Sequence, residues 1–360
     1  MEFIANQLRE TGLPDESEMA RGELCTNPSA ARALFAKCPV ADVSPLIDVS
    51  SIAAQLGVAA VHVKDERKRV GLGSFKSLGA AFAIAKAADK LVSEDTLREY
   101  ETALKGKVFV CASAGNHGLS MAAGARAFGA GAVVYLANTV PDEFAGRLRD
   151  KGATVVRAGA NYEASMNAAL MAAKENGWEL LSDSSWLGYT ELPRDVMEGY
   201  LIMGAEVADQ LTSPPTHIFL QAGVGGLAAA CTAAARHYWG ETPKIYVVEP
   251  EYAPALYDSI VASQVVTTTG PASVMGRLDC KEPSHLALKY LAKEADGFIT
   301  ISEAEALAAV KVLKTHDLAA SPSAVAGYAG VHFAGEERQE LGLTSESRIL
   351  LYLSEGPVDE

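Results

Sequence analysis

Several things are scarce in this chain of 360 residues, and each scarcity excludes a class of protein. The five cysteines (Cys25, Cys38, Cys111, Cys231 and Cys280) are odd in number and form no Cys-x-x-Cys pair. They read as buried or incidental thiols of a reducing compartment, not as a disulfide framework. Positive charge is in deficit: 31 Lys and Arg against 45 Asp and Glu give a formal charge of −14. No basic surplus is present to meet the phosphates of a nucleic acid, so no nucleic-acid partner is expected. No apolar run reaches membrane-spanning length, because polar residues interrupt the alanine-rich segments, and no membrane partner is expected either. Residues 1–6 lack the basic region and apolar core of a secretory leader, so a cytoplasmic location is expected. There is no internal repeat, no low-complexity stretch, and nothing that places a metal site.

What is present is apolar and small. Hydrophobic residues make up 49% of the chain, with abundant alanine and 31 glycines. That composition suits a large, close-packed core, and the length exceeds one ordinary core, which points to two domains. Residues 1–58 read as a polar, helical lead-in, with an extended segment at 43–47 where Pro45 restricts its predecessor. Short apolar runs then recur at 59–64, 108–112, 132–136, 154–157, 178–181, 217–221, 244–248, 298–301 and 349–353, with helical patterns between many of them. Runs of this kind indicate parallel strands covered on both faces, hence an α/β fold.

Open parallel sheets bind ligands beyond the carboxyl ends of their strands, so the residues just after each run are the place to look for chemistry. After 59–64 comes Gly71-Leu72-Gly73-Ser74-Phe75-Lys76-Ser77-Leu78-Gly79, with a helix expected to start near Ser74. Tight packing of that helix would desolvate Lys76, lower its pKa and free the amine as a nucleophile or Schiff-base former, although a lysine near a helix start is also ordinary. After 108–112 comes Ser113-Ala114-Gly115-Asn116-His117-Gly118. It reads either as a nest of backbone N–H groups for a carboxylate or as a plain turn capped by Asn116. His117, just inside the helix, reads as structural. After 217–221 comes Gln221-Ala222-Gly223-Val224-Gly225-Gly226-Leu227, whose glycines let the backbone approach a single phosphate or simply make a tight turn. No Lys-Ser/Thr follows, and the spacing departs from G-x-G-x-x-G, which excludes a nucleoside-triphosphate loop and a dinucleotide fingerprint. Ser354, after the last run, is placed either to hydrogen-bond a ring nitrogen or to cap the chain end. Asp183 ends the run at 178–181 and reads either as a catalytic acid or as a loop or helix-capping residue.

A lysine, a carboxylate nest, a phosphate loop and a terminal hydroxyl, in this order, match the needs of pyridoxal 5′-phosphate. At these residues, across roughly positions 40–357, the sequence resembles the fold-type II pyridoxal-phosphate enzymes, the tryptophan synthase β-like group. The resemblance implies two domains, each with a mostly parallel sheet covered by helices: a discontinuous large domain of residues 1–79 and 191–360, and a small one of residues 80–190. It implies that Lys76 holds the cofactor as a Schiff base and that Asn116 bonds its phenolic oxygen. Gly223, Val224, Gly225 and Gly226 would hold the phosphate, with Ser354 facing the pyridine nitrogen. Ser113, Ala114, Gly115 and His117 would bind the substrate, and the enzyme would be a homodimer.

Within that family, Asp183-Ser184-Ser185-Trp186-Leu187-Gly188-Tyr189-Thr190 and Met275-Gly276-Arg277-Leu278-Asp279-Cys280-Lys281-Glu282-Pro283 look like diaminopropionate ammonia-lyases. By that resemblance the reaction is β-elimination from a small L-amino acid, through aminoacrylate, to a 2-oxo acid and ammonia, with Lys76 or Asp183 as the base. Asp183 matches the acid associated with the L-substrate. Ala114 stands where the lyase that accepts both stereoisomers carries an aspartate taken to act on the D-substrate. The nest is closer to that of serine/threonine dehydratases, which keeps dehydration of serine, threonine or another 3-hydroxy amino acid as the alternative. A cofactor-binding protein without turnover is the rival outside enzymes.

Overall fold

The computed structural model describes residues 1–93 and 96–357. In chain order the strands are β1 (Glu2–Ala5), β2 (Leu46–Asp48), β3 (Ala60–Asp65), β4 (Val108–Cys111), β5 (Gly131–Leu136), β6 (Thr154–Arg157), β7 (Glu179–Leu180), β8 (His217–Gln221), β9 (Lys244–Pro250), β10 (Gly297–Ile301) and β11 (Arg348–Leu353). The helices are α1 (Ser29–Ala36), α2 (Ser50–Leu56), α3 (Ala80–Asp89), α4 (Leu97–Tyr100), α5 (Asn116–Ala127), α6 (Asp142–Asp150), α7 (Tyr162–Asn176), α8 (Glu191–Gln210), α9 (Gly226–Trp239), α10 (Ala255–Ala262), α11 (His285–Glu294), α12 (Glu303–Lys314) and α13 (Ala326–His332).

The strands form two sheets. Seven lie in the order β1-β10-β9-β8-β11-β3-β2, and four in the order β6-β5-β4-β7. The small sheet is parallel throughout. In the large sheet the five inner strands are parallel. The α/β architecture of mostly parallel strands is therefore as expected. Every residue of β8 and β10 is buried, which is why these strands read as unbroken apolar runs instead of alternating ones.

The two edges of the large sheet depart from expectation. The lead-in is not simply helical: β1 and β2 pair antiparallel with β10 and β3. Strands of four and three residues with half-exposed faces carry too little apolar periodicity to announce themselves; their pairing partners decide them.

Two features fix where the site lies. Helix α8 crosses beneath the turn that carries Lys76, and a Cβ placed on Gly199 would lie 1.9 Å from the carbonyl oxygen of Leu78. Only a glycine permits that backbone-to-backbone approach. Beside it lies a buried charge cluster. Arg69 reaches Glu66 at 2.7 Å and Glu206 of α8 at 2.6 Å, Lys64 reaches Glu206 at 2.6 Å, and Ser44 Oγ donates to Glu66 at 2.6 Å. Paired in this way the four charges are compensated, and they lock the end of β3 to α8.

Candidate active site

Lys76 does not sit in the first turn of an α-helix as expected. Phe75–Leu78 form a single 3₁₀ turn, Gly79 breaks it, and α3 begins at Ala80. The amine lies 5.1 Å from the centre of the Phe75 ring and 5.7 Å from that of Tyr200. It forms an ion pair with Oδ2 of Asp183, and the two side chains are 22% and 24% exposed. Burial alone would depress the lysine, as the sequence suggested. The Asp183 charge more than reverses that, and the ammonium is held well above its ordinary pKa. Burial likewise pushes the Asp183 carboxyl up, but Lys76 and then His117 outweigh it and hold the group below the usual carboxylate range. The expectation of a pKa lowered by desolvation is thus overturned by a carboxylate from the other sheet.

Asp183 is positioned by its own loop. Trp186 and Tyr189 stack at 4.3 Å and bridge each other's backbone across a turn with Gly188. The Tyr189 hydroxyl donates to Leu180 O at 2.7 Å and accepts from Ser182 N at 3.0 Å, clamping both sides of the strand end. Ser284 joins this loop to the glycine loop: its hydroxyl accepts from Ser185 N at 3.0 Å while its own N–H donates to Val224 O at 2.9 Å.

The glycine loop ends at the start of α9, which no side chain among the described residues caps. Its first amides are therefore open donors, with the positive end of the helix dipole behind them. Gly225 has φ +99°, a conformation that disfavours any side chain. A Cβ on Gly226 would come within 3.7 Å of the Tyr200 ring and 3.9 Å of the Asp183 carbonyl, so this cradle adjoins the Lys76–Asp183 pair. On its other side, Cys280 Sγ lies 3.0 Å from where a Gly223 Cβ would be. Burial, and then the charge of Asp183, pushes that thiol up to about 12, leaving it neutral.

The start of α5 is likewise uncapped by any side chain, and Ser113 Oγ accepts from Gly115 N at 3.3 Å, folding the Ser113–Asn116 turn. Ala114 is half-buried in that turn. His117 is buried and engages Leu181 O through Nε2 at 2.8 Å, which ties α5 to the strand that carries Asp183.

After the last strand, Ser354 is buried and its carbonyl accepts from Phe75 N at 3.0 Å, stitching the chain end to the Lys76 turn. Its neighbour Glu355 has the more conspicuous contacts, which the sequence did not signal. Its carboxylate accepts from Asn116 Nδ2 and, at 2.6 Å, from Ser321 Oγ, with Arg277 Nε at 3.7 Å. Tyr200, Arg277, Ser321 and Glu355 also escaped the sequence reading as site residues. They come from a helix interior and from loops far apart in the chain, and no local spacing connects them.

Comparison with known proteins agrees with this geometry. A diaminopropionate ammonia-lyase of Salmonella typhimurium is 35% identical over 297 residues, 78% of this chain and 74% of its own length. The diaminopropionate ammonia-lyase of Escherichia coli is 30% identical over 338 residues, 88% of this chain and 85% of its own. A crystal structure of the Escherichia coli enzyme with an aminoacrylate-PLP azomethine reaction intermediate superposes with a TM-score of 0.86 at 27% identity, covering 99% of this chain and 93% of that one. The family model for pyridoxal-phosphate dependent enzymes matches residues 39–355. With the strand-end lysine, the uncapped glycine cradle and the fold all in agreement, the chain belongs to the pyridoxal-phosphate dependent enzymes.

Proposed function

We propose that the protein is an ammonia-lyase that removes a β-substituent and the α-amine from a small L-amino acid of the 2,3-diaminopropionate type, giving a 2-oxo acid and ammonia. The observation that carries this reading is the Lys76–Asp183 ion pair beside the glycine cradle. The residues fit the cofactor: the open amides at the start of α9 suit a phosphate, and Lys76 and that start both lie against the Tyr200 ring. When bound through Lys76, pyridoxal phosphate supplies an electron sink for the pair left at Cα. Gly223, Val224, Gly225 and Gly226 would hold its phosphate, and Asn116 and Ser354 would hydrogen-bond its ring.

The protein groups then divide the remaining work. The amides of the turn from Ser113 through Ala114 and Gly115 to His117 hold the substrate carboxylate. Asp183, ionised at neutral pH, attracts a cationic β-substituent and keeps one proton shared with Lys76 Nζ. One member of that pair takes the α-proton, and the β-substituent, already carrying its proton as an ammonium, departs as neutral ammonia with the Cβ–N bonding pair. A hydroxyl leaves less readily here, because it lacks the positive charge that Asp183 favours, so dehydration ranks second.

Three further assignments accompany this reading. The four strands of the small sheet all come from residues 108–180, which supports a division into residues 1–79 with 191–360 and residues 80–190. The cysteines of the described residues are free, which supports a reducing, cytoplasmic compartment. No helix among the described residues is long and apolar enough to cross a membrane. Family resemblance supports a homodimer, which sedimentation tests.

The test of function is a panel of β-substituted amino acids scored for ammonia and 2-oxo acid. Turnover of L-2,3-diaminopropionate above L-serine is expected, with Lys76→Ala abolishing both turnover and the visible absorption of the purified protein. A retained absorption band in Lys76→Ala, or no ammonia from any member of the panel, would overturn the reading.

A further inference from the structure

Arg277 lies on the irregular segment between α10 and α11, and its side chain is 37% exposed. One of its guanidinium nitrogens, Nη1, is 3.0 Å from the position a Gly115 Cβ would take, so the fork rests directly on the Ser113–His117 turn. Its backbone is anchored, with Arg277 N donating to Ser323 Oγ at 3.0 Å. The guanidinium itself donates no hydrogen bond to any described residue. The nearest carboxylate, Glu355, stands 3.7 Å from Nε, beyond hydrogen-bonding distance, and its two oxygens already accept from Ser321 and Asn116. An arginine presents five N–H donors in a rigid fork that matches a carboxylate. Here that fork makes no hydrogen bond among the described residues, pairs with Glu355 only through Nε at 3.7 Å, and lays Nη1 against a turn whose own amides point to anion binding.

We propose that Arg277 is the charged half of the substrate-carboxylate site. Its guanidinium grips the α-carboxylate of the incoming amino acid while the amides of the Ser113–His117 turn take the same group from the other side. The proposal rests on the lyase reading above and sharpens its substrate class. A cation at the carboxylate end and the Asp183 anion at the β-carbon end orient a substrate that is negative at one pole and positive at the other, as a 2,3-diamino acid is. Either charge alone would bind such a molecule; the two together fix which end faces the Lys76–Asp183 pair.

The test compares holoenzyme carrying Arg277→Gln or Arg277→Lys with the unaltered holoenzyme. Steady-state kinetics on L-2,3-diaminopropionate, L-serine and L-serinamide are joined by calorimetric titration with propionate, a carboxylate that cannot react. Losing a bidentate charged contact should lower kcat/KM for both free acids by roughly 10- to 100-fold, mostly through KM, with Arg277→Lys recovering part of it. Propionate affinity should fall by a similar factor, whereas L-serinamide, which has no carboxylate, should be handled alike by the unaltered enzyme and Arg277→Gln. Unchanged KM together with unchanged propionate affinity overturns the proposal. So does an equal loss on L-serinamide, which would show that Arg277 acts on something other than the carboxylate. Arg277-dependent propionate binding with no turnover of any amino acid leaves the carboxylate site standing and sinks the lyase reading instead. Should Arg277→Gln fail to fold, the Arg277→Lys titration decides by the same outcomes.

Discussion

Lys76 and Asp183 are 107 residues apart and follow strands of two different sheets, yet they form one ion pair at the mouth of the glycine cradle. Neither group has the pKa that its burial alone would give. Each is held in its charged form by the other.

Removing Asp183 should therefore affect Lys76 in a definite direction. In Asp183→Asn the burial of the amine remains and the offsetting charge is gone, so the amine's pKa falls. Measured in the apoprotein, modification of Lys76 by an amine-reactive probe should set in at lower pH than in the unaltered protein. In the holoenzyme, turnover of an L-diamino acid should fall by about 10²- to 10⁴-fold, the usual worth of a positioned acid–base group.

The same pair makes a stability prediction. Lys76 is raised above its unfolded value, so its contribution is present below about pH 10 and is lost as the pH climbs further. Asp183 is depressed, so its contribution is present above about pH 4 and is lost on acidification. The difference in melting temperature between the unaltered apoprotein and Asp183→Asn should be flat across the neutral range and shrink at both extremes. A difference that varied steeply around pH 7 would contradict the pairing.

Gly225 and Gly226 should respond differently to alanine. At Gly225 the positive φ strains any side chain, and a Cβ would stand 3.0 Å from Ala287 Cβ and 3.1 Å from Leu256 Cδ1. Gly225→Ala should cost about 1–2 kcal/mol from the backbone alone. At Gly226 the nearest atom is 3.5 Å away, an ordinary contact. Gly226→Ala should melt with the unaltered protein while weakening phosphate capture, because its methyl group projects into the cradle. Differential scanning calorimetry paired with cofactor titration separates the two effects.

Glu249 offers a pH test away from the site. It is fully buried at the end of β9, where its oxygens accept from Leu256 N at 2.8 Å and Tyr257 N at 2.7 Å. Burial raises its carboxyl to about 8 in spite of those two bonds. The folded state therefore binds this proton more tightly than the unfolded chain, whose value is about 4.3, and stability drains away as pH rises between the two. Glu249→Gln should flatten that decline, so its melting temperature relative to the unaltered protein should rise from pH 5 to pH 8. A constant offset over that range would show that the two amides keep the carboxylate charged throughout.

The α/β class, the inner strands and the strand-end motifs were all legible in the sequence, because each is a local property. Buried parallel strands are continuous apolar runs, and a glycine loop before an alanine-rich helix reads locally as either an anion cradle or a tight turn. Lys76 was legible for the same reason. Its electrostatic state was not: that depends on Asp183, brought to it by the packing of one sheet against the other. The placement of Glu355, Ser321 and Arg277 around the Ser113–His117 turn was equally invisible, since three distant loops meet there only in the folded chain. Sequence alone determined the fold class and singled out the strand-end turns and the lysine as candidates, because those follow from short-range geometry. Only the tertiary structure decided which charges face one another, because Coulombic coupling depends on distance in space and on burial, neither of which local spacing encodes.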